Sequence, residues 1–275
     1  MVIGSRLTES DVRKIIADAN TQLSMNSKHK DIIGDQVFKL LEQNCRVLYY
    51  PLEDDDVWGF TERIKGQLFV CINTSIPYEK QIFTAAHELY HIWFDVEKAQ
   101  EVILSSNLEE TESVNIDINE LKANRFAAEF LAETKLLEQE MARYGIGAYN
   151  ITIKEVLQLC DIFTIPYKTM SRRLHEIGAI NSSTLANLLS ATEKDIVVWN
   201  KILCITAPYK QNYIRLDNLI EKSVELYERN MITYEKLEYL LGFSGMSPVD
   251  VGIVKTVYEP LTDDEIADIL GEDDD

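Results

Sequence analysis

The sequence predicts an α+β protein: a first domain holding a small antiparallel sheet among helices, followed by an all-helical region. Three observations lead there. Apolar residues recur at helical spacing before Cys45, β-branched and aromatic runs fill residues 46–72, and helical spacing returns after Pro77 and persists along the chain.

Thr8, Ser10 and Asp11 offer N-caps ahead of apolar residues at Val12, Ile15, Ile16 and Ala19, which predicts a first helix. A second is expected over residues 32–41. Residues 46–50 (RVLYY), 57–61 (VWGFT) and 67–72 (QLFVCI) read as strands, with Lys65 and Gly66 as a hairpin turn between the last two. Helices are expected over 81–95 and 119–141, separated by a polar loop over 104–115. Gly145 and Gly147 then interrupt the pattern and suggest a boundary near residue 149, giving domains over 1–149 and 150–275. The closing GEDDD reads as a frayed acidic tail.

With 275 residues, 46% of them hydrophobic, the chain can bury one large core or two smaller ones. Its formal charge of −19 repels a phosphate backbone, so non-specific nucleic-acid binding by the whole surface is disfavoured, although a local basic patch is compatible with it. Cys45, Cys71, Cys160 and Cys204 are scattered without a C-x-x-C pair. They read as reduced, mostly buried thiols. The N-terminus has no apolar leader, and no run approaches the roughly 18 apolar residues of a membrane span. A cytoplasmic protein with no membrane partner is expected.

His87, Glu88, Leu89, Tyr90 and His91 form an H-E-x-x-H sequence. Residues four apart share a helical face, where two imidazoles can hold one metal ion and the intervening glutamate can serve as general base. At about 100° per residue, Thr84, His87, Glu88, His91 and Asp95 form one polar stripe, and the rest of that circumference is apolar. A core helix whose polar stripe lines a cleft is expected. The competing reading is an amphipathic helix with two surface histidines.

Catalytic zinc commonly keeps three protein ligands, and with only His29 and His175 remaining, a carboxylate is the favoured third. In residues 119–131 (NELKANRFAAEFL), Lys122, Arg125 and Glu129 gather on one side, expected to face water. The opposite side carries Ala123, Ala127, Ala128 and Leu131, with Glu120 and Asn124 in its middle. A carboxylate on a packing face needs a partner, either a metal ion or a lysine or arginine. Asn124 and Asp95, each one turn from a candidate ligand, are placed to orient one, and Glu112 and Asp117 are reserve ligands.

Three blocks together resemble the ImmA/IrrE-type metallo-endopeptidases: CIN over 71–73, FTAAHELYHI over 83–92 and ELKANRFAA over 120–128. The resemblance covers roughly residues 30–135. It implies a zincin-like, gluzincin-type domain with one zinc ion on His87, His91 and Glu120, and with Glu88 as the catalytic residue. It also implies an endopeptidase acting on a protein, expected to be a helix-turn-helix repressor of the XRE type encoded nearby on a mobile element or in a stress operon. Asn73 marks a strand that could align the substrate. Where the family often runs into Leu-Met-Pro, this chain has Leu131, Ala132 and Glu133, so the loop there is expected to differ.

Residues 150–178 resemble a helix-turn-helix segment with a positive tint from Lys168, Arg172, Arg173 and His175. The overall charge favours a scaffold or protein-docking role over DNA contact. A further helix pair over 216–227 and 233–241 reads as a docking or lid element. Two other functions share the same motifs: a zinc-binding regulatory module that sequesters a partner or contacts DNA without proteolysis, and a toxin–antitoxin component. No oligomeric state follows from the sequence.

Overall fold

The computed structural model describes residues 7–26, 31–95, 103–106, 117–147, 151–205, 212–216 and 218–255. Glu112, the suggested boundary near residue 149 and the acidic tail lie outside the described residues. The chain divides into two compact units, Met1–Asp217 and Asn218–Asp275.

The first unit opens with α1 (Glu9–Met25) and α2 (Gln36–Asn44). The cap of α1 is reciprocal: Thr8 Oγ1 accepts from the Asp11 N–H at 3.1 Å and the Asp11 carboxylate accepts from the Thr8 N–H at 3.0 Å. The Thr8 hydroxyl also donates to the Asp11 carboxylate at 2.6 Å, and that bond first, then the one from the Thr8 N–H, lowers the Asp11 carboxyl to about 2. Ile15, Ala19 and Leu23 form the buried stripe of the helix.

β1 (Arg46–Tyr50), β2 (Val57–Ile64) and β3 (Gln67–Asn73) follow. The expected hairpin joins β2 to β3, and Lys65 at φ 50° and Gly66 at φ 82° supply the two left-handed residues of a tight turn that matches strand twist. The sheet as a whole is mixed, contrary to the antiparallel expectation. β3 inserts between β2 and β1, and because β1 and β2 run oppositely, the β1–β3 pairing is parallel, with Val47 opposite Val70. The strand order is β4-β2-β3-β1-β5, where β4 (Ile103–Ser106) and β5 (Arg215–Leu216) pair antiparallel to β2 and β1. β4 thus occupies part of the stretch expected as loop, because edge pairing with β2 needs backbone groups and no apolar pattern.

α3 (Tyr78–Phe94) packs on β2 and β3 and is buried along every residue from Gln81 to Ile92. α4 (Ile118–Leu131) lies against α3, with α1 on another side. Phe126 and Phe130 of α4 stack at 5.3 Å and meet Trp93 edge-on at 6.0 and 5.8 Å, which ties the two helices by apolar area and ring geometry.

The single helix expected over 119–141 is two, α4 and α5 (Thr134–Arg143). The break is held by a buried charge cluster. Glu129 Oε1 accepts from the Thr134 N–H at 3.1 Å, while Arg173 donates to Ala132 O at 3.0 Å and pairs with Glu129 Oε2 at 2.7 Å. Arg125 joins Glu129 and Glu176 at 3.2 Å each. Arg125 and Glu129, expected to face water, are therefore buried, at 8% and 0% exposure. Lys122 reaches Asp11 of α1 at 3.2 Å.

Arg173 sits on α7 (Tyr167–Glu176), which follows α6 (Ile153–Phe163) across a turn with Thr164 in the left-handed region. α8 (Ser182–Leu189) and α9 (Glu193–Leu203) complete the helices of this unit among the described residues. The second unit holds α10 (Leu219–Glu228), α11 (Tyr234–Gly242) and a 3₁₀ turn at Pro248–Val251, with Leu237 and Leu241 buried between them. No described helix is long and apolar enough to cross a membrane.

Removing one partner of a buried, multiply bonded ion pair leaves the other charge uncompensated. Arg173→Ala is expected to lose about 3–5 kcal/mol in urea unfolding. A change within about 0.5 kcal/mol would instead mark Arg173 as a surface group.

Candidate metal centre

α3 carries His87 and His91 one turn apart, and α4 brings Glu120 across from them. His87 Nδ1 is 2.8 Å from Asn124 Oδ1, so the amide oxygen accepts the Nδ1 proton and the Nε2 lone pair is left to face inward. That Nε2 is 3.1 Å from Glu120 Oε2 and 3.1 Å from His91 Nε2, which is itself 3.3 Å from Glu120 Oε1. Four donors around one divalent ion at about 2.0–2.1 Å stand about 3.3 Å apart, so these three atoms have the spacing of one face of such a shell. Two buried ring nitrogens that close need either a shared proton or a shared cation. The residues present fit a metal.

Both imidazoles are fully buried and Glu120 is 19% exposed at its side chain. For His91, burial opposes the charged form, but the bond to Glu120 and the charges of Glu88, Glu120 and Asp95 outweigh it and push the imidazole up. Burial likewise opposes the Glu120 anion, and its bonds to His87 and His91 hold the carboxyl far below the usual range. The pocket is built to favour positive charge beside Glu120.

Asp95 approaches His91 Nδ1 to 3.6 Å, longer than a hydrogen bond, and neither that nitrogen nor Asp95 Oδ2 has a hydrogen-bond partner among the described residues. A modest shift would join them. Asp117 caps α4 by accepting from the Asn119 N–H at 2.8 Å and stands outside the donor cluster.

Glu88, next to His87 on α3, lies near enough for its charge to act on His91 but is held by β2: Thr61 Oγ1 donates to Glu88 Oε2 at 2.5 Å, and both residues are fully buried. The cleft expected along the polar stripe is thus covered at Thr84, His87, Glu88 and His91, all at 0% exposure. Thr61 was not foreseen. Its one signal is position: Thr61 sits two places after Gly59, on the same face of β2.

Asn73 is not brought to this cluster. Its amide donates to Val57 O at 2.7 Å and Asp54 O at 3.1 Å and accepts from the Leu52 and Ser75 N–H groups, pinning the β1–β2 connection to the turn into α3. β3 also has strands on both sides, so its edges are taken. His175, on α7, contacts Ser182 at 3.2 Å and lies outside the cluster.

Fold and site together define an α+β protein in which two packed helices group His87, His91 and Glu120 as a candidate metal site. Residues 41–177 match the family model of the IrrE N-terminal-like domain, peptidase M78, and the domain they form belongs to this peptidase family. Comparisons with curated proteins and with solved structures gave no match.

None of the four cysteines is in a disulfide, and of the expected buried thiols Cys71 is buried, Cys45 and Cys160 are half-buried and Cys204 is exposed. Burial, and then the Glu88 charge, push the Cys71 thiol up to about 12. Iodoacetamide at about pH 8 should therefore modify Cys204 in the folded protein and leave Cys71 unmodified until denaturant is added, as mass spectrometry would read.

Proposed function

We propose that this chain is a zinc-dependent endopeptidase in which His87, His91 and Glu120 hold one zinc ion and Glu88 is the general base. The observation that carries the reading is the convergence of three donor atoms within 4.8 Å of one another, with a buried carboxylate one residue along from His87. A nitrogen, nitrogen, oxygen donor set suits zinc, and the peptidase family supports a protein substrate. Bound there, zinc supplies Lewis acidity toward a peptide carbonyl and acidifies water.

The protein's own groups then have defined tasks. Asn124 fixes the His87 ring and its tautomer. Glu88 takes a proton from the attacking water and returns it to the amide nitrogen as the C–N bond breaks, so one carboxylate serves both halves of the hydrolysis. The substrate in this reading is a regulatory protein, a helix-turn-helix repressor encoded beside the gene, as the resemblance to ImmA/IrrE enzymes suggests.

Zinc-loaded protein incubated with that repressor, and separately with a proteome-derived peptide library, is expected to yield new N-termini that a chelator abolishes. Loss of repressor function without fragments would mean sequestration instead. Glu88→Gln should keep its zinc and lose at least about 100-fold in turnover. Asn124→Ala should weaken zinc binding by about 10–100-fold in a competitive chelator titration, and unchanged affinity would remove Asn124 from the site.

A further inference from the structure

Residues two apart on a strand point to one face, so Gly59 and Thr61 of β2 both face α3. A Cβ at Gly59 would stand 2.6 Å from Thr84 Cγ2 and 2.6 Å from Cys71 O, so glycine is what lets the helix come this close. Along the strand, Gly59 and Thr61 are about 6.6 Å apart. Along the helix, Thr84 and Glu88, one turn apart, are separated by about 6 Å. The two repeats match. Seating Thr84 against Gly59 therefore sets Thr61 opposite Glu88, where its hydroxyl donates to Oε2 at 2.5 Å in a fully buried setting.

A carboxylate that moves a proton must present one lone pair in a fixed direction, yet rotation about its last bond exchanges the two oxygens. The geometry points to Thr61 as a positioning residue for Glu88, an inference that rests on reading Glu88 as the base. Thr61 engages Oε2 and fixes the carboxylate plane. The carboxylate held in this way accepts the water proton and releases it to the leaving amide nitrogen. The Thr61 proton stays on Oγ1 throughout, so no net proton passes through the hydroxyl.

Thr61→Val removes the hydroxyl at nearly constant volume, and Thr61→Ser keeps it. With the fastest-cut peptide of the library as substrate, Thr61→Val is expected to lose on the order of 10- to 100-fold in kcat with KM within about two-fold, while Thr61→Ser stays within about three-fold of wild type. Zinc affinity and melting midpoint, measured alongside, separate this from loss of metal or fold. An independent readout needs no turnover: high-resolution structures of the metal-free variants should show Glu88 in several side-chain conformers in Thr61→Val and in one in Thr61→Ser. Wild-type kcat in Thr61→Val, with Glu88→Gln inactive, overturns the positioning role and leaves the base intact. A loss that Thr61→Ser shares, or that follows lost zinc, also overturns it. Full turnover in Glu88→Gln sinks the base and the Thr61 inference together.

Discussion

Burying two imidazoles and two carboxylates in one helix pair is costly unless their polar atoms meet partners, and the first unit supplies one to each of the four side chains, with His91 Nδ1 left unmatched among the described residues. Glu120 meets both rings, Glu88 meets Thr61, and His87 meets Asn124. Each partner comes from a different element than the group it serves. The site is therefore a product of how α3 is enclosed, by β2 on one side and α4 on the other, and no single helix could hold it.

Enclosure needs close approach, and close approach needs small residues at the contacts. Ala123 and Ala127 of α4, both at 0% exposure, let helix meet helix, as Gly59 lets strand meet helix. The larger rings, Phe126, Phe130 and Trp93, gather in one cluster between α3 and α4, filling the space that backbone approach leaves. Small residues and large rings of α4 thus share the work of packing it into the first unit.

Much of this was legible in the sequence because it is local. The H-E-x-x-H spacing needs one helix turn, the Lys65-Gly66 hairpin needs two residues, and Glu120 stood out as a carboxylate on an apolar face. What the sequence hid is what depends on a distant partner. A helical wheel assigns Arg125 and Glu129 to water because it cannot see Arg173, and the hydrophobic alternation of β1 is the same whether its neighbour runs parallel or antiparallel. β4 was hidden for a related reason, since a four-residue edge strand owes its existence to the open edge of β2. Gly59 announced a close approach, but which element approaches is a property of the fold.

The helix-turn-helix pattern of α6 and α7 takes on a different meaning in this setting. A helix that reads DNA presents its cations outward. Arg173 turns inward, its charge met by Glu129 and Glu176, and the match to the peptidase family runs on through α7 to residue 177. The helix pair therefore acts on α4. Glu120 near one end of α4 meets the imidazoles while Glu129 near the other meets Arg173, and Lys122 meets Asp11 of α1. Rotating α4 by a single residue, about 100°, would break all three at once. The buried cluster at α7 and the capped start of α1 thus fix the same rotational setting that points Glu120 at the two histidines, so the scaffold and the His87, His91 and Glu120 donor group select one arrangement of α4 together.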